Sequence, residues 1–358
     1  MTTRVGIVGT GGIAAVHADN LARMDEAEIV AVTDIDADRA RAFADAHGGR
    51  VDASLEAMLE AGGIDIVHLC SPPSLHIAQG ETALAAGVSV LSEKPPALSL
   101  AELDRIRRAE EASDGWFATI SQHRFGGRAN WLRERTRDGS LGETMTAVCN
   151  TLWYRPDEYF DAPWRGTWDS EGGGPTMGHG IHQIDTMLSI VGPWREVTAV
   201  AARRARPVET EDFSAALVTL ESGAVVSIVN SLLSPRETSY LRFDYTHATV
   251  ELEHLYGYGD DSWRFTAAPT APESLEGDWD SSATGHGSGH AAQFAQTYAA
   301  LSAGDRPLPV TSADARDTLE LIAAIYASAF DRRPVAKGEI DESSPFYTSM
   351  KGSGTPWA

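Results

Sequence analysis

The stretch from Glu171 to Asp185, EGGGPTMGHGIHQID, runs three glycines into an apolar pattern that carries an imidazole at His182 and a carboxylate at Asp185. On a single helix turning about 100° per residue, positions 178, 182 and 185 fall within roughly 60° of one another and share a face. Such a face can accept a proton and pass it on. His179 lies roughly 60° to the other side of His182. The series His179, His182, Asp185 also offers metal-ligand types, but ligands spaced three and six residues apart drift around a helix. No second ligand cluster is evident in the sequence, so no metal is expected.

A second reactive group stands earlier in the chain. Of 29 basic residues only three are lysine: Lys94, Lys337 and Lys351. The last two fall in a polar C-terminal segment. Lys94 sits in Glu93-Lys94-Pro95-Pro96, immediately after an apolar run. An amine can lose its proton where a guanidinium cannot, so a chain that otherwise uses arginine keeps here a group able to do acid–base work.

The elements that must position these groups begin at the N-terminus. Arg4 to Gly9 reads as a short strand, Gly9-x-Gly11-x-x-Ala14 as a tight turn, and the following pattern to about Met24 as a helix. Gly9 serves the turn, Gly11 lets backbone approach a pyrophosphate, Ala14 is the small residue where helix packs on strand, and the helix N-terminus supplies amides for the phosphates. A second strand, 28–33, ends at Asp34, placed to bind the adenosine ribose hydroxyls and to repel a 2′-phosphate. This favours NAD over NADP. Asp36 is the better N-cap for the next helix.

Strand and helix alternate from there to 121. Runs such as 64–70 and 88–92 are apolar throughout, as strands covered on both faces require. Ser71-Pro72-Pro73 and Glu93-Lys94-Pro95 follow two of these strands, at the edge where open α/β sheets bind ligands. His76 lies just past the first turn, where it either begins a helix in solvent or touches a nicotinamide ribose.

The fingerprint GTGGIA at 9–14, CSPPSLH at 70–76 and EKP at 93–95 together resemble the glucose–fructose oxidoreductase / inositol dehydrogenase / MocA family, and Gln122-His123-Arg124-Phe125 resembles its crossover into a second domain. The resemblance implies an α/β protein: a Rossmann doubly wound parallel sheet over 1–122, then an α+β domain with a large, open, mainly antiparallel sheet over 123–335, and a tail over 336–358. It also implies a nicotinamide cofactor contacted by Gly9, Gly11, Gly12, Ile13, Asp34, Ser71, Pro72, His76, Glu93 and Lys94. Lys94, His182 and Asp185 become the catalytic set, with Lys94 on the reacting oxygen, His182 as proton acceptor and Asp185 orienting the imidazole or binding a hydroxyl. In one place the chain departs from the family: where D-x-G-x-H-x-x-D is usual, Gly178 stands for the first aspartate. That substitution keeps a second reading open, a non-catalytic dinucleotide or sugar sensor.

Between 153 and 168 lies an aromatic loop with Trp153, Tyr154, Arg155, Trp164 and Trp168. Its rings either fill a domain seam or suit the C–H faces of a sugar, with Arg155 and Tyr154 hydrogen-bonding hydroxyls; His179 is a further substrate-binding candidate or faces solvent. A helix over 176–191 follows, then period-two runs at 196–202, 213–220, 224–231, 240–245 and 248–252 that read as antiparallel strands. The segment 270–289 reads as a surface loop, and helices follow at about 290–302 and 312–330. One sheet face is expected on a partner copy, giving a homo-oligomer, dimer or tetramer.

Composition closes off other classes. The formal charge of −22 argues against nucleic acid. No apolar run reaches membrane-span length, and Cys70 and Cys149 make no disulfide framework. The expectation is a cytoplasmic NAD-dependent oxidoreductase acting on a sugar, glycoside or cyclitol, with no nucleic-acid or membrane partner.

Overall fold

A computed structural model describes residues 2–162, 164–304 and 309–357. The chain forms two compact units, one of Met1–Ile120 with His290–Arg316, the other of Ser121–Gly289 with Asp317–Ala358.

In the first unit β1 (Thr3–Val8), β2 (Ala27–Thr33), β3 (Arg50–Val51), β4 (Ile66–Leu69), β5 (Ser89–Ser92) and β6 (Phe117–Thr119) form one parallel sheet in the order β3-β2-β1-β4-β5-β6. The intervening helices are α1 (Gly12–Leu21), α2 (Ala37–His47), α3 (Leu55–Ala61), α4 (His76–Ala85) and α5 (Leu100–Glu111). The order reverses between β1 and β4, the switch point of a Rossmann sheet. Every residue of β4 and β5 is buried, which is why these runs carry no alternation. Asp36 caps α2, its carboxylate accepting from the amides of Asp38 and Arg39, and Ser99 caps α5.

The second unit opens with α6 (Gly127–Arg137) and β7 (Thr144–Tyr154). The short helices α7 (Trp168–Glu171) and α8 (Pro175–Gly178) follow, then α9 (Ile181–Val191). Next come β8 (Trp194–Ala202), β9 (Phe213–Leu220), β10 (Val225–Ser231), β11 (Leu233–Tyr245), β12 (Ala248–His254) and β13 (Trp263–Ala267). With β14 (Val335–Ala336) they make an eight-stranded sheet, β13-β12-β11-β7-β10-β9-β8-β14, antiparallel except where β10 runs parallel to β7. Along β9 the residues of one face, Ser214, Ala216, Val218 and Leu220, are buried while their neighbours are more exposed, the period of two seen in the sequence.

Two expectations are corrected here. The segment 176–191 is not one helix: it breaks at His179-Gly180 into α8 and α9, so Gly178 and His182 do not share a continuous face. Within 270–289 a further helix, α10 (Ser274–Ser281), forms because Leu275 and Trp279 are buried, Trp279 stacking on Phe265 with ring centroids 5.3 Å apart. The expected fold class holds in both units.

α11 (His290–Ala303) packs in the first unit, where Phe294 and Tyr298 join the buried cluster of Val5, Ile7, Leu21, Ile66 and Leu91. Gln293 donates to the Thr119 carbonyl at 2.8 Å. α12 (Ser312–Asp331) and the C-terminal turn α13 (Pro345–Thr348) complete the chain. No helix among the described residues is long and apolar enough to cross a membrane.

Candidate active site

The dinucleotide side is built at the end of β1. Gly9 has φ +87°, and a Cβ there would stand 2.9 Å from the Cys70 carbonyl and the Ser71 nitrogen, so neither its conformation nor its surroundings admit a side chain. At Gly11 and Gly12 a Cβ would meet nothing within 4 Å. That open space lies against the start of α1, where first-turn amides and the helix dipole favour phosphate. Ile13 turns the other way, onto the core.

Asp34, one residue past β2, accepts from the amide and hydroxyl of Thr10 at 2.7 and 2.9 Å and pairs with Arg39 at 2.6 Å. Burial opposes the charge, but the bonds from Arg39, the Asp36 amide and Thr10 outweigh it and bring the pKa to about 2. The carboxylate is fixed at the edge of the cradle. Arg39 was not singled out in the sequence. It lies one helical turn past the N-cap Asp36, and only the fold shows it reaching back.

The other cofactor candidates divide. Ser71 donates to Gln79 at 2.6 Å, and Pro72 precedes the turn that leads into α4. His76 is fully buried, its two nitrogens against the carbonyls of Pro95 and Ser71 at 2.9 Å each. It braces these two turns, which corrects the expected ribose contact. Glu93 is likewise buried: Oε1 lies 3.0 Å from both His17 Nε2 and His290 Nε2, and Oε2 accepts from the Lys94 amide at 3.0 Å. It faces inward, away from the cofactor role expected of it. Lys94 is half-buried, and the Lys94–Pro95 peptide is cis.

In the second unit, the turn into α8 is held by Glu211, whose carboxylate accepts from the Gly174 and Thr176 amides at 3.0 and 3.1 Å and from Tyr326 at 2.8 Å. Burial raises its pKa. A Cβ at Gly174 would collide with the Glu211 carbonyl and one at Gly180 with Asn230, so close approach of backbone explains these glycines. Gly178 is different. A Cβ there meets nothing within 4 Å, leaving room for the missing carboxylate.

His182, at the start of α9, stacks on His123 with centroids 4.9 Å apart and planes 30° apart. His123 Nε2 lies 2.6 Å from the Tyr256 carbonyl, and Gln183 Nε2 lies 3.1 Å from His123 Nδ1. His123 Nε2 faces a carbonyl and donates there. His254 packs edge-on against it, and burial followed by the neighbouring imidazole lowers its pKa to about 3. Both nitrogens of His254, together with Thr151 Oγ1 and Gln183 Oε1, are buried without a hydrogen-bond partner. His254 did not stand out in the sequence, and His123 did so only as part of the crossover Gln122-His123-Arg124-Phe125. They lie 131 positions apart in register-dependent contact, which no local spacing reveals.

Asp185 does not turn to His182. It forms a bidentate pair with the partly buried Arg124 at 2.6 and 2.7 Å and accepts from the buried Thr318 at 3.1 Å, bonds that tie α9 to its neighbours. Of the aromatic loop, Trp153 packs edge-on to His179 at 4.9 Å, with Arg155 over its ring at 4.9 Å. Arg155 is anchored by Glu237 at 2.9 Å. Tyr154 and Trp164 are exposed, carrying Arg206 and Arg165 on their faces. Trp168 is a correction: it is buried against Tyr326 and Phe330, and its Nε1 donates to the Glu209 carbonyl.

Comparison with known proteins agrees with this layout. Residues 3–119 match the family described as "Oxidoreductase family, NAD-binding Rossmann fold", and residues 130–251 match the GFO/IDH/MocA C-terminal domain. D-glucoside 3-dehydrogenase of Escherichia coli is 32% identical over 53% of this chain and 54% of its own length, so the chain spans about half of that relative. D-apiose dehydrogenase of Paraburkholderia graminis is 26% identical over 96% of this chain and 92% of its own. The WlbA dehydrogenase of Bordetella pertussis, solved with NADH and UDP-GlcNAcA, superposes with a TM-score of 0.84 at 27% identity, covering 94% of this chain and 99% of that one. With both of its units matched in order and at nearly full length, the chain belongs to the Gfo/Idh/MocA family of oxidoreductases.

Proposed function

We propose that the protein is an NAD-dependent dehydrogenase that oxidises a secondary alcohol of a sugar, glycoside or cyclitol. The observation that carries this reading is the cradle after β1: a glycine that admits no side chain, two that stand in open space at a helix start, and the ordered carboxylate of Asp34. Lys94 follows in the same unit, two residues beyond β5. These residues fit a dinucleotide. Gly9, Gly11, Gly12 and the α1 amides would hold the pyrophosphate and Asp34 the adenosine ribose, favouring NAD over NADP. The nicotinamide, when bound, supplies the hydride acceptor.

The chain's own groups then handle oxygen and proton. Lys94 binds the reacting oxygen, and its ammonium favours the alkoxide that must form. His182 accepts the hydroxyl proton. His123 stacks on its ring and is itself held by the Tyr256 carbonyl. Trp153, Arg155 and His179 supply a ring face and donors for a polyhydroxy substrate.

The outward face of the second sheet carries Val200, Leu217 and Val225, each exposed, on three adjacent strands. A second copy of the chain is the proposed cover, in a dimer or tetramer. The charge of −22 speaks against nucleic acid as a partner. Two free, buried cysteines and the need for an NAD pool fit a cytoplasmic setting.

Absorbance of NADH during incubation with NAD and a panel of aldoses, glycosides and inositols tests the reading. Turnover with at least one, abolished in Lys94→Ala, is expected; tight NAD binding with no turnover across the panel overturns it.

A further inference from the structure

Among the described residues the large aromatic side chains that stand exposed are Tyr154, Trp164 and Tyr256, at 40, 44 and 60%. All three belong to the second unit, and they gather at one stack. Arg155 lies over the rings of Trp153 at 4.9 Å and Tyr159 at 5.3 Å, and Arg165 lies 4.1 Å from the rings of both Tyr159 and Trp164. Rings and guanidinium groups therefore alternate from Trp153 to Trp164. Tyr256 packs on Trp153 at 4.9 Å, its hydroxyl accepting from Arg155 at 3.0 Å, and Arg155 also donates to the Tyr154 carbonyl at 2.9 Å. Exposed rings grouped in this way mark a binding surface more than rings scattered singly do.

The stack has an inner and an outer end. Trp153 is buried and meets His179 edge-on at 4.9 Å, and Tyr159 stands 6.4 Å from the same imidazole. His179 follows Gly178, the position where a Cβ would meet nothing within 4 Å. The inner end thus lies beside the open turn that leads into α9 and His182. Trp164 is separated from His179 by Tyr159 and Arg165. A group that covers Trp164 is therefore attached to the sugar ring at His182 and not part of it.

Charge narrows what that group is. Arg155 pairs with Glu237 at 2.9 Å, Arg165 with Glu171 at 3.1 Å, and Arg206, which lies over the Tyr154 ring, with Asp157 at 2.9 Å. Between 153 and 171 the chain carries five acids against two arginines. A phosphate or carboxylate would meet cations already neutralised in a region of net negative charge. Hydroxyls are served better: a paired guanidinium keeps N–H groups to donate, its carboxylate accepts, and the rings take C–H faces. We infer that the stack is a subsite for the second, uncharged sugar ring of a glycoside. The inference rests on the dehydrogenase reading and narrows its substrate to neutral glycosides, with the reacting sugar at Gly178 and His182 and the attached ring on Tyr159, Arg165 and Trp164.

Isothermal titration of the full-length protein, with NADH present so that nothing is oxidised, reads the subsite against hexoses, the neutral disaccharides built from them and the hexose phosphates. At least one disaccharide should bind about tenfold more tightly than its hexose, the worth of one stacked ring, and the phosphates no more tightly than the hexose. Trp164→Ala should remove the disaccharide's advantage, and because the ring is exposed the variant should fold. Three results overturn the subsite: no disaccharide binding better than its hexose, a phosphate binding better than both, or a Trp164→Ala variant that keeps the advantage while its oligomer dissociates in sedimentation. The last would make the ring a contact between copies of the chain. NADH formation from free hexoses or inositols, with no gain from a second ring, would leave the dehydrogenase reading in place and remove only the subsite.

Discussion

Among the described residues two imidazole clusters stand out, one in each unit, and they are finished differently. Around His17 and His68 every nitrogen meets a partner and Phe294 seals the group. Around His123 and His182 one neighbour, His254, is buried with neither nitrogen bonded, beside Thr151 Oγ1 and Gln183 Oε1 in the same state. A buried polar atom left unpaired costs about 1–3 kcal/mol. The three residues stand close together in the second unit, Gln183 bonding the ring against which His254 packs. Register supports the grouping: Ser239 pairs with both His254 and Thr151, setting them on neighbouring strands at one level. The first group is completed by hydrogen bonds within its own unit and the second is not.

The sharpest way to break this contrast is at the reacting groups. Lys94→Ala should lower kcat by 10³-fold or more and His182→Ala by about 10²-fold, read as NADH formation. Unchanged turnover in Lys94→Ala would leave neither cluster a catalytic partner. Next comes the closed cluster's wall. Phe294→Ala should cost about 3–5 kcal/mol in denaturant unfolding, whereas His254→Phe, which removes unpaired nitrogens, should leave stability equal or higher and raise KM. Equal stability losses in the two variants would erase the distinction.

Cofactor choice gives a smaller effect. Asp34→Ala frees Arg39 and should weaken NAD while improving NADP, by about tenfold in their ratio, in binding assays; a change favouring NAD would refute the ribose role. The smallest expected effect is in acid. His17, His68, His76 and His254 have folded pKa values below their unfolded ones, so the unfolded chain takes up protons first as pH falls through about 6.5. Stability should therefore decline from pH 6.5 downward, and His254→Phe should make the decline shallower. Asp34 adds in the same direction at lower pH: its depressed pKa contributes stability above about pH 4 that is lost as pH falls toward 2.

What the sequence revealed follows the range of the interactions. Glycine turns, apolar strands and the Asp36 cap are local, and each was visible in its own few residues. Lys94 and His182, the residues proposed to react, stood out by type and spacing. Their supports were not. Arg124 satisfies Asp185 from 61 positions away, and Glu211 fixes the glycine turn from 37. The break at His179-Gly180 was hidden because the apolar period runs through it, and only the contact of Gly180 with Asn230 shows why the chain departs there. His76 and Trp168 misled for the opposite reason. Polar or aromatic types near a site read as ligands, yet both are bonded inward to main-chain carbonyls.

The position of α11 has a consequence for how the protein is made. The first 120 residues contain the whole parallel sheet, yet His68 and Glu93 gain Tyr298 and His290 as partners only from a helix encoded about 170 residues later. During synthesis at about 5–20 residues per second the dinucleotide unit therefore waits roughly 10–30 seconds with a polar gap in its interior. Long-range closure of this kind slows folding and exposes the nascent unit to misassembly. Ribosome-bound chains stopped after α11 should resist protease across β4 and β5, and chains stopped after β6 should not.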